Sequence, residues 1–184
     1  MNDRLSNTPS LFKTTGRWTY RLRHMLMASA LWLVSTQANA LCLLCSCTVS
    51  SQPVTFGVYN PLSGNSASGT GNVHLSCSGL SLATVGISVA LSPGLYGVSA
   101  AARQMAKGTS RLDYTLYGPS GGNPCGAIWG DGSGGTGVLS GSLLLNLLGL
   151  ASLDQQVCGS IPANQTTVSV GTYTDSVAVV VTYN

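Results

Sequence analysis

The chain has 184 residues, 44% of them hydrophobic and only 7% charged, with a formal net charge of +3. Residues 1–40 hold most of the basic groups (Arg4, Lys13, Arg17, Arg21 and Arg23), so residues 41–184 keep only Arg103, Lys107 and Arg111 against Asp113, Asp131, Asp154 and Asp175. That balance leaves no basic patch on which nucleic acid could neutralise its phosphates, and so little charge gives weak repulsion between copies, which suits a chain that associates.

Taken in order, the chain opens with a targeting pattern. Lys13, Arg17, Arg21 and Arg23 precede an apolar run over 25–34, and Ala38-Asn39-Ala40 supplies small residues at cleavage spacing, so residues 1–40 are expected to be a signal peptide and 41–184 the exported domain. The run is shorter than the roughly 20 residues that span a bilayer, so no permanent membrane anchor is expected. All six cysteines (Cys42, Cys45, Cys47, Cys77, Cys125 and Cys158) follow the leader. An even number in an exported chain points to disulfides, and spacing alone leaves their pairing open.

Residues 48–57 read as a first strand, and Asn60-Pro61 begins turn chemistry. Over 72–77, Val73, Leu75 and Cys77 alternate with Asn72, His74 and Ser76, and Val85, Ile87, Val89 and Leu91 repeat that period. The segment 100–106 is short and uncapped and reads as a loop. Leu112, Tyr114 and Leu116 mark a further strand, stopped by Gly118-Pro119. A short strand over 125–129 and a glycine-rich loop over 130–137 follow. Residues 138–150 fit neither the helix nor the strand period, although Ser140-Gly141-Ser142 argues against a helix start. Two more short strands are expected over 156–161 and 166–170, on either side of Pro162-Ala163-Asn164. The final stretch, 176–184, places Val177, Val179, Val181 and Tyr183 on one wholly apolar side. Short alternating strands punctuated by turns, with no convincing helix, predict one all-β sandwich or barrel domain.

Matches to chemical motifs dissolve on inspection. Gly118-Pro119-Ser120-Gly121-Gly122 fits G-x-S-x-G, but no strand-to-helix elbow or histidine partner accompanies it, so a tight turn is expected. Gly130, Gly132 and Gly135 fit G-x-G-x-x-G without the following helix that would hold a pyrophosphate. Cys42-x-x-Cys45 sits in a strand-like tail rather than at a helix N-terminus, which favours a structural disulfide over redox chemistry. Scattered aspartates and the single post-leader histidine, His74, offer no acid–base pair. No catalytic residue, cofactor or metal site is expected, and the chain is read as a non-enzyme. Asn164-Gln165-Thr166 forms a glycosylation sequon.

Beside this reading stands a resemblance spanning Cys47 to Tyr183. It is carried by Cys47-Thr-Val-Ser, Phe56-Gly-Val-Tyr59-Asn-Pro-Leu-Ser, Leu75-Ser-Cys77 and Leu91-Ser-Pro-Gly. It continues through Arg103-Gln-Met105, Leu112-Asp-Tyr114-Thr-Leu-Tyr117, Trp129-Gly-Asp-Gly, Ile161-Pro-Ala-Asn-Gln165 and Gly171-Thr-Tyr173-Thr-Asp175. In order and spacing these segments resemble the spore coat protein U domain, which also forms the pilins of archaic, Csu-type chaperone–usher fimbriae. The pattern departs from the family at Ser160, where an arginine is usual, and in Cys42, Cys45, Cys125 and Cys158.

The resemblance implies an incomplete immunoglobulin-like β-sandwich whose final strand a partner supplies. It implies a fimbrial or surface-coat subunit exported through the periplasm to the cell surface, serving adhesion or biofilm formation. The implied partners are a periplasmic pilus chaperone, an outer-membrane usher and other fimbrial subunits. Because only 41–46 precede Cys47, the chain is expected to accept a strand rather than donate one. A self-contained secreted sandwich that binds carbohydrate or another ligand is the rival reading. The resemblance, with both cysteines inward on neighbouring strands, pairs Cys47 with Cys77; Cys125 with Cys158 is a second candidate pair, and Cys42 and Cys45 are unassigned. Gly171, Val177, Val179, Val181 and Tyr183 are expected to border the groove for the added strand. Leu143, Leu144, Leu145, Leu147, Leu148 and Leu150 exceed what one side of a strand can bury and are expected to form a partly exposed interaction patch at one end of the sandwich.

Overall fold

A computed structural model describes residues 44–80 and 82–184, so the expected leader (1–40) and Cys42 lie outside the described residues. Nine strands are described: β1 (Ser46–Gln52), β2 (Ala67–Ser78), β3 (Thr84–Leu91), β4 (Arg103–Lys107), β5 (Ser110–Ser120), β6 (Asn123–Ile128), β7 (Leu139–Leu144), β8 (Leu150–Ile161) and β9 (Val179–Tyr183). One sheet runs β1-β2-β8-β5-β4 with β6 also on β5, and the other runs β7-β3-β9. Every ladder is antiparallel. The fold is the all-β, immunoglobulin-like sandwich expected, and no helix occurs among the described residues.

Period-two alternation explains how the sheets face each other. Val73, Leu75 and Cys77 of β2, Val85, Ile87, Val89 and Leu91 of β3, and Leu112, Tyr114 and Leu116 of β5 are all buried. Burying each such side chain contributes about 1.5–3 kcal/mol, which makes the strand faces rather than the loops the source of stability. The core divides into two clusters, one around Trp129, Leu91 and Tyr114 and one around Leu75, Val85, Ile87 and Leu145. Trp129 joins the layers: its Nε1–H donates to Val89 O at 2.9 Å and its backbone N–H to Leu116 O at 2.9 Å.

Several elements differ from the expectation. Residues 103–107, read as a loop, form β4, because the Gly108 turn (φ 57°) folds them onto β5, with Arg103 opposite Tyr114. β8 begins at Leu150 rather than 156, paired with β2 over its whole length. Residues 166–170 form turns instead of a strand; Asn164 is left-handed (φ 65°), and Thr166 N–H and Val168 N–H donate back to Asn164 O and Gln165 O. The first strand stops at Gln52, and 53–56 leave the ladder to cross the sheet over glycines. A Cβ at Gly69 would lie 2.3 Å from Thr55 O, and one at Gly159 would lie 2.6 Å from the Phe56 ring. Those positions are glycine because a backbone and an aromatic ring occupy the space.

Trp129 makes the same demand of Gly118, where an added Cβ would come within 2.7 Å of the indole. Gly118→Ala is therefore expected to cost about 1–3 kcal/mol through overpacking, read as a lower urea midpoint with a changed near-ultraviolet tryptophan signal.

Candidate functional site

The final strand shows where the sandwich is open. β9 pairs with β3 from Ile87–Tyr183 to Leu91–Val179, and Gly86 and Asn184 exchange both backbone bonds at 3.1 Å. In an antiparallel ladder such bonded pairs recur at every second residue. Ala178, Val180, Thr182 and Asn184 therefore aim their backbone groups at β3, consistent with Ser92 N–H donating to Ala178 O at 3.0 Å. Val179, Val181 and Tyr183 aim theirs away from it, where no strand lies among the described residues. The side chains obey the same phase. Val177, Val179 and Val181 point inward yet are only half-buried, while Ala178, Val180 and Thr182 are exposed.

β1 is the facing edge. Cys47 and Cys77 are directly opposite and disulfide-bonded, with their Cα atoms 4.1 Å apart, the close spacing of a non-hydrogen-bonded pair. By the same alternation Cys47, Val49 and Ser51 turn their backbone groups to the free side, and Val49 is 43% exposed although its side chain faces the other sheet. Among the described residues, two free edges thus confront each other across the flank of the sandwich.

Between them, at the end where β1 runs into 53–59, lies a cavity of about 950 Å³. One wall is Val54, Phe56 and Tyr59, the other is the segment 168–177 with Val179, and the floor is core: Leu91, Met105, Leu112, Tyr114, Leu116, Val157 and Ile161. Phe56 meets Tyr114 edge-on at 6.0 Å. Of the residues expected to border the groove, Gly171, Val177 and Val179 line this cavity, whereas Val181 and Tyr183 lie along the strand beyond it. Tyr183 is 40% exposed.

A polar anchor holds the second wall. Arg103 is fully buried, and its guanidinium donates to the carbonyls of Leu91, Ser92 and Ala100 at 2.7–3.2 Å. Burial lowers its pKa, opposed by the nearby Tyr114, Asp175 and Asp131. Asp175 accepts from Tyr114 Oη–H at 2.6 Å and from Leu95 N–H and Ser176 N–H, which pins the chain immediately before β9. Further up the wall, Tyr173 is held through its hydroxyl by Ser110 and Ser169, and Lys107 Nζ donates to Val170 O across Gly171. On the opposite wall, Tyr59 Oη–H donates to Pro162 O at 2.8 Å and accepts from Gln165 N–H at 3.1 Å.

The remaining sites are structural. Cys125 and Cys158 are disulfide-bonded and tie β6 to β8, and Cys45 is oxidised and lies against Gly79. Ser120 ends at a two-residue turn whose Gly121 and Gly122 both carry positive φ, the requirement of a type I′ hairpin. Asp131 folds the glycine-rich loop on itself by accepting from Ser133 N–H and Oγ–H, which lowers its pKa. His74 pairs across the ladder with Asp154 at 2.7 Å on an exposed face. No group of three metal-ligating side chains converges among the described residues. The leucine stretch divides: Leu144, Leu147, Leu148 and Leu150 are 47–81% exposed, while Leu145 is fully buried in the second core cluster and Leu143 packs against it. Leu145 and Leu143 are thus removed from the expected patch, because Leu145 N–H bonds Ala83 O and the turn draws its side chain under the sheet.

The Spore Coat Protein U domain model matches residues 33–180. The chain belongs to that family. No curated protein sequence matches it significantly. Among solved structures it is similar to a chain of the CsuC–CsuE chaperone–tip adhesion subunit pre-assembly complex from the archaic chaperone–usher Csu pili of Acinetobacter baumannii, at 23% identity and TM-score 0.44, covering 75% of this chain and 39% of that one. It is also similar to the P pilus rod subunit PapA, at 14% identity and TM-score 0.46, covering 75% of this chain and 99% of that one. In this Spore Coat Protein U domain the segments Arg103-Gln-Met105, Leu112-Asp-Tyr114 and Gly171-Thr-Tyr173-Thr-Asp175 meet in one place, the anchor beside the cavity.

That anchor has a pH signature. Burial first, and then the bond to Asp175, raise the Tyr114 hydroxyl well above its ordinary 10.0. The folded chain holds this proton more tightly than the unfolded chain, so its contribution is complete below pH 10.0 and declines as pH rises further. Thermal midpoints measured up to strongly alkaline pH are expected to fall above that point, and Tyr114→Phe, less stable at neutral pH, is expected to show a shallower alkaline decline.

Proposed function

We propose that this protein is an exported structural subunit of a chaperone–usher fimbria or surface coat, completed by a β-strand from another polypeptide and serving adhesion or biofilm formation. The observation that carries this reading is the phase of β9: the residues whose backbone groups face no strand are the residues whose side chains face the half-filled core. A strand laid on that edge satisfies both at once, since its backbone pairs with Val179, Val181 and Tyr183 while alternate side chains descend into the cavity. This is strand addition to an open edge, in which main-chain bonds give affinity and pockets give specificity. Seating three or four apolar side chains is worth roughly 5–10 kcal/mol, comparable to the stability of a whole domain. Left unfilled, the same edges template aggregation.

Several features support the cellular setting. The basic and apolar segments within 1–40, with small residues at 38–40, have the form of a leader removed on export, which leaves 41–184 as the working domain. The disulfides Cys47–Cys77 and Cys125–Cys158 suit an oxidising compartment such as the periplasm. There a dedicated chaperone would shield the groove, an outer-membrane usher would accept the subunit, and a neighbouring fimbrial subunit would supply the lasting strand. Gly171, Val177, Val179, Val181 and Tyr183 are the groove residues on this reading.

Appending an alternating apolar strand after Asn184 through a flexible linker is the direct test. The self-complemented chain should be a soluble monomer with a melting temperature raised by tens of degrees, and the unmodified exported domain should aggregate unless a chaperone accompanies it. Equal solubility and melting of the two forms would sink the strand-addition reading.

A further inference from the structure

On the flank away from the groove the small sheet ends in β7, and two contacts fix the phase of its backbone. Gly86 commits its bonds to Asn184, and Leu145 N–H donates to Ala83 O in register with the pairs Leu143–Val85, Gly141–Ile87 and Leu139–Val89. Bonded pairs recur at every second residue, so Leu139, Gly141 and Leu143 serve β3 with their backbone. Ser140, Ser142 and Leu144 turn theirs to the opposite edge, where no strand lies among the described residues, and their side chains are exposed.

The other outer strands are guarded or already committed. β1 and β9 border the groove. β4 ends in Lys107 and is bridged on its far side by Thr174 at Ala106, and β6 carries Pro124 and an irregular register. Charges, prolines and bulges keep an exposed edge from pairing with another chain. β7 has none of them: residues 132–153 contain no Asp, Glu, Lys, Arg or Pro, and the ladder to β3 runs without a shift.

The sequence of this edge selects its partner. Val138-Leu139-Ser140-Gly141-Ser142-Leu143-Leu144 reads alike, by residue class, in both directions from Gly141. Two copies related by a two-fold axis through that glycine meet antiparallel, each residue opposite the one equally far beyond the axis. Ser140 then exchanges both backbone bonds with Ser142 of the second copy, Leu139 lies against Leu143 of the second copy on the core side, and the glycines face each other. Moving the axis to Ser140 or Ser142 keeps the bonds but sets leucine against glycine. An unrelated strand would not share this symmetry.

Gly141 points the same way. It is exposed, its φ lies outside the left-handed region, and an added Cβ would meet nothing within 4 Å, so neither a turn nor packing in this chain calls for a glycine. A glycine inside a strand often marks the close approach of another backbone. The large sheet leaves space on this flank, since β8 pairs with β5 only from Cys158 to Ser160 and has no paired strand beyond residues 150–157. From the free backbone phase, the missing guards and the two-fold sequence, we propose that β7 pairs edge to edge with β7 of a second copy of this chain, joining their small sheets into one.

Oxidative cross-linking tests this on the exported chain as purified from cells, with any protein that fills its groove. Directly opposite residues at a non-bonded position lie about 4.5 Å apart, within reach of a disulfide, as Cys47 and Cys77 do in this chain. Gly141→Cys is therefore expected to give a disulfide-linked dimer. Ser140→Cys or Ser142→Cys alone is expected to give at least about tenfold less, because each lies a diagonal of about 7–8 Å from its own copy, whereas the two variants mixed should cross-link to each other. Association of the wild type is expected to be weak, since one short strand pair buries less than a stable dimer needs. Ser142→Pro removes a free-side N–H without touching the ladder to β3. In sedimentation it is expected to weaken dimerisation at least about tenfold while keeping the wild-type near-ultraviolet spectrum. No cross-link at Gly141→Cys, equal cross-linking of the three single cysteine variants, a cross-link to the groove occupant instead of a second copy, or undiminished association of Ser142→Pro would each overturn the proposal. β7 and β9 lie on opposite sides of β3, so this outcome is separable from that of strand addition.

Discussion

The structure depends on the register between β3 and β9. With Gly86 bonded to Asn184, the two-residue period fixes the role of every atom along the last strand: even-numbered residues from Ala178 to Asn184 serve the existing sheet with their backbone and solvent with their side chains. Odd-numbered residues do the reverse, turning side chains to the core and backbone to an edge that no described strand occupies. A one-residue slip would bury Ala178, Val180 and Thr182 and turn Val177, Val179 and Val181 outward. The apolar face is worth burying only in the register observed, so the composition of the strand holds its own phase.

That phase has to be imposed at the start of β9, and this is where the polar anchor acts. Arg103 brings a full charge into the core, an arrangement tolerated because three carbonyls at the turn after β3 receive its donors. Asp175, tied to Tyr114 and to the backbone of Leu95, then fixes the chain a few residues before Val179. Lys107 over Gly171 and Tyr173 on Ser110 hold the approach to it. These polar side chains keep one wall of an open cavity from collapsing onto the other. The Cys47–Cys77 disulfide restrains the other free edge by fastening β1 to β2. The fold is thus braced on both sides of a gap.

How far the sequence revealed this depended on the range of the forces involved. Period-two runs such as Val73-Leu75-Cys77 and Val85 to Leu91 were legible because the burial pattern is local, and they suffice for an all-β sandwich. The 103–107 strand was not, since its pairing with β5 comes from the Gly108 turn and a buried arginine rather than from its own alternation. Residues 53–56 read as a continuing strand because Val54 and Phe56 keep the period; only Gly69, Gly71 and Gly159 on other strands show that the chain crosses the sheet there. The apolar side of 177–183 pointed to an edge in need of cover, while the matching free edge of β1 was hidden, since Val49 and Ser51 carry no apolar stripe. Within the leucine stretch, composition could signal excess but not which residue turned inward. Leu145 was chosen by the bond from its N–H to Ala83 O, a contact between two distant turns.

The central claim, that β9 presents a free hydrogen-bonding edge in phase with an unfilled core, is tested most directly by residue-resolved amide exchange along the strand. In the domain freshly released from its groove occupant and kept too dilute to aggregate, Val180, Thr182 and Asn184 should exchange slowly and Val179, Val181 and Tyr183 quickly, and all six should be slow once a strand fills the groove. Uniform protection of Val179, Val181 and Tyr183 in the unoccupied domain would contradict the account, because those amides would already have partners.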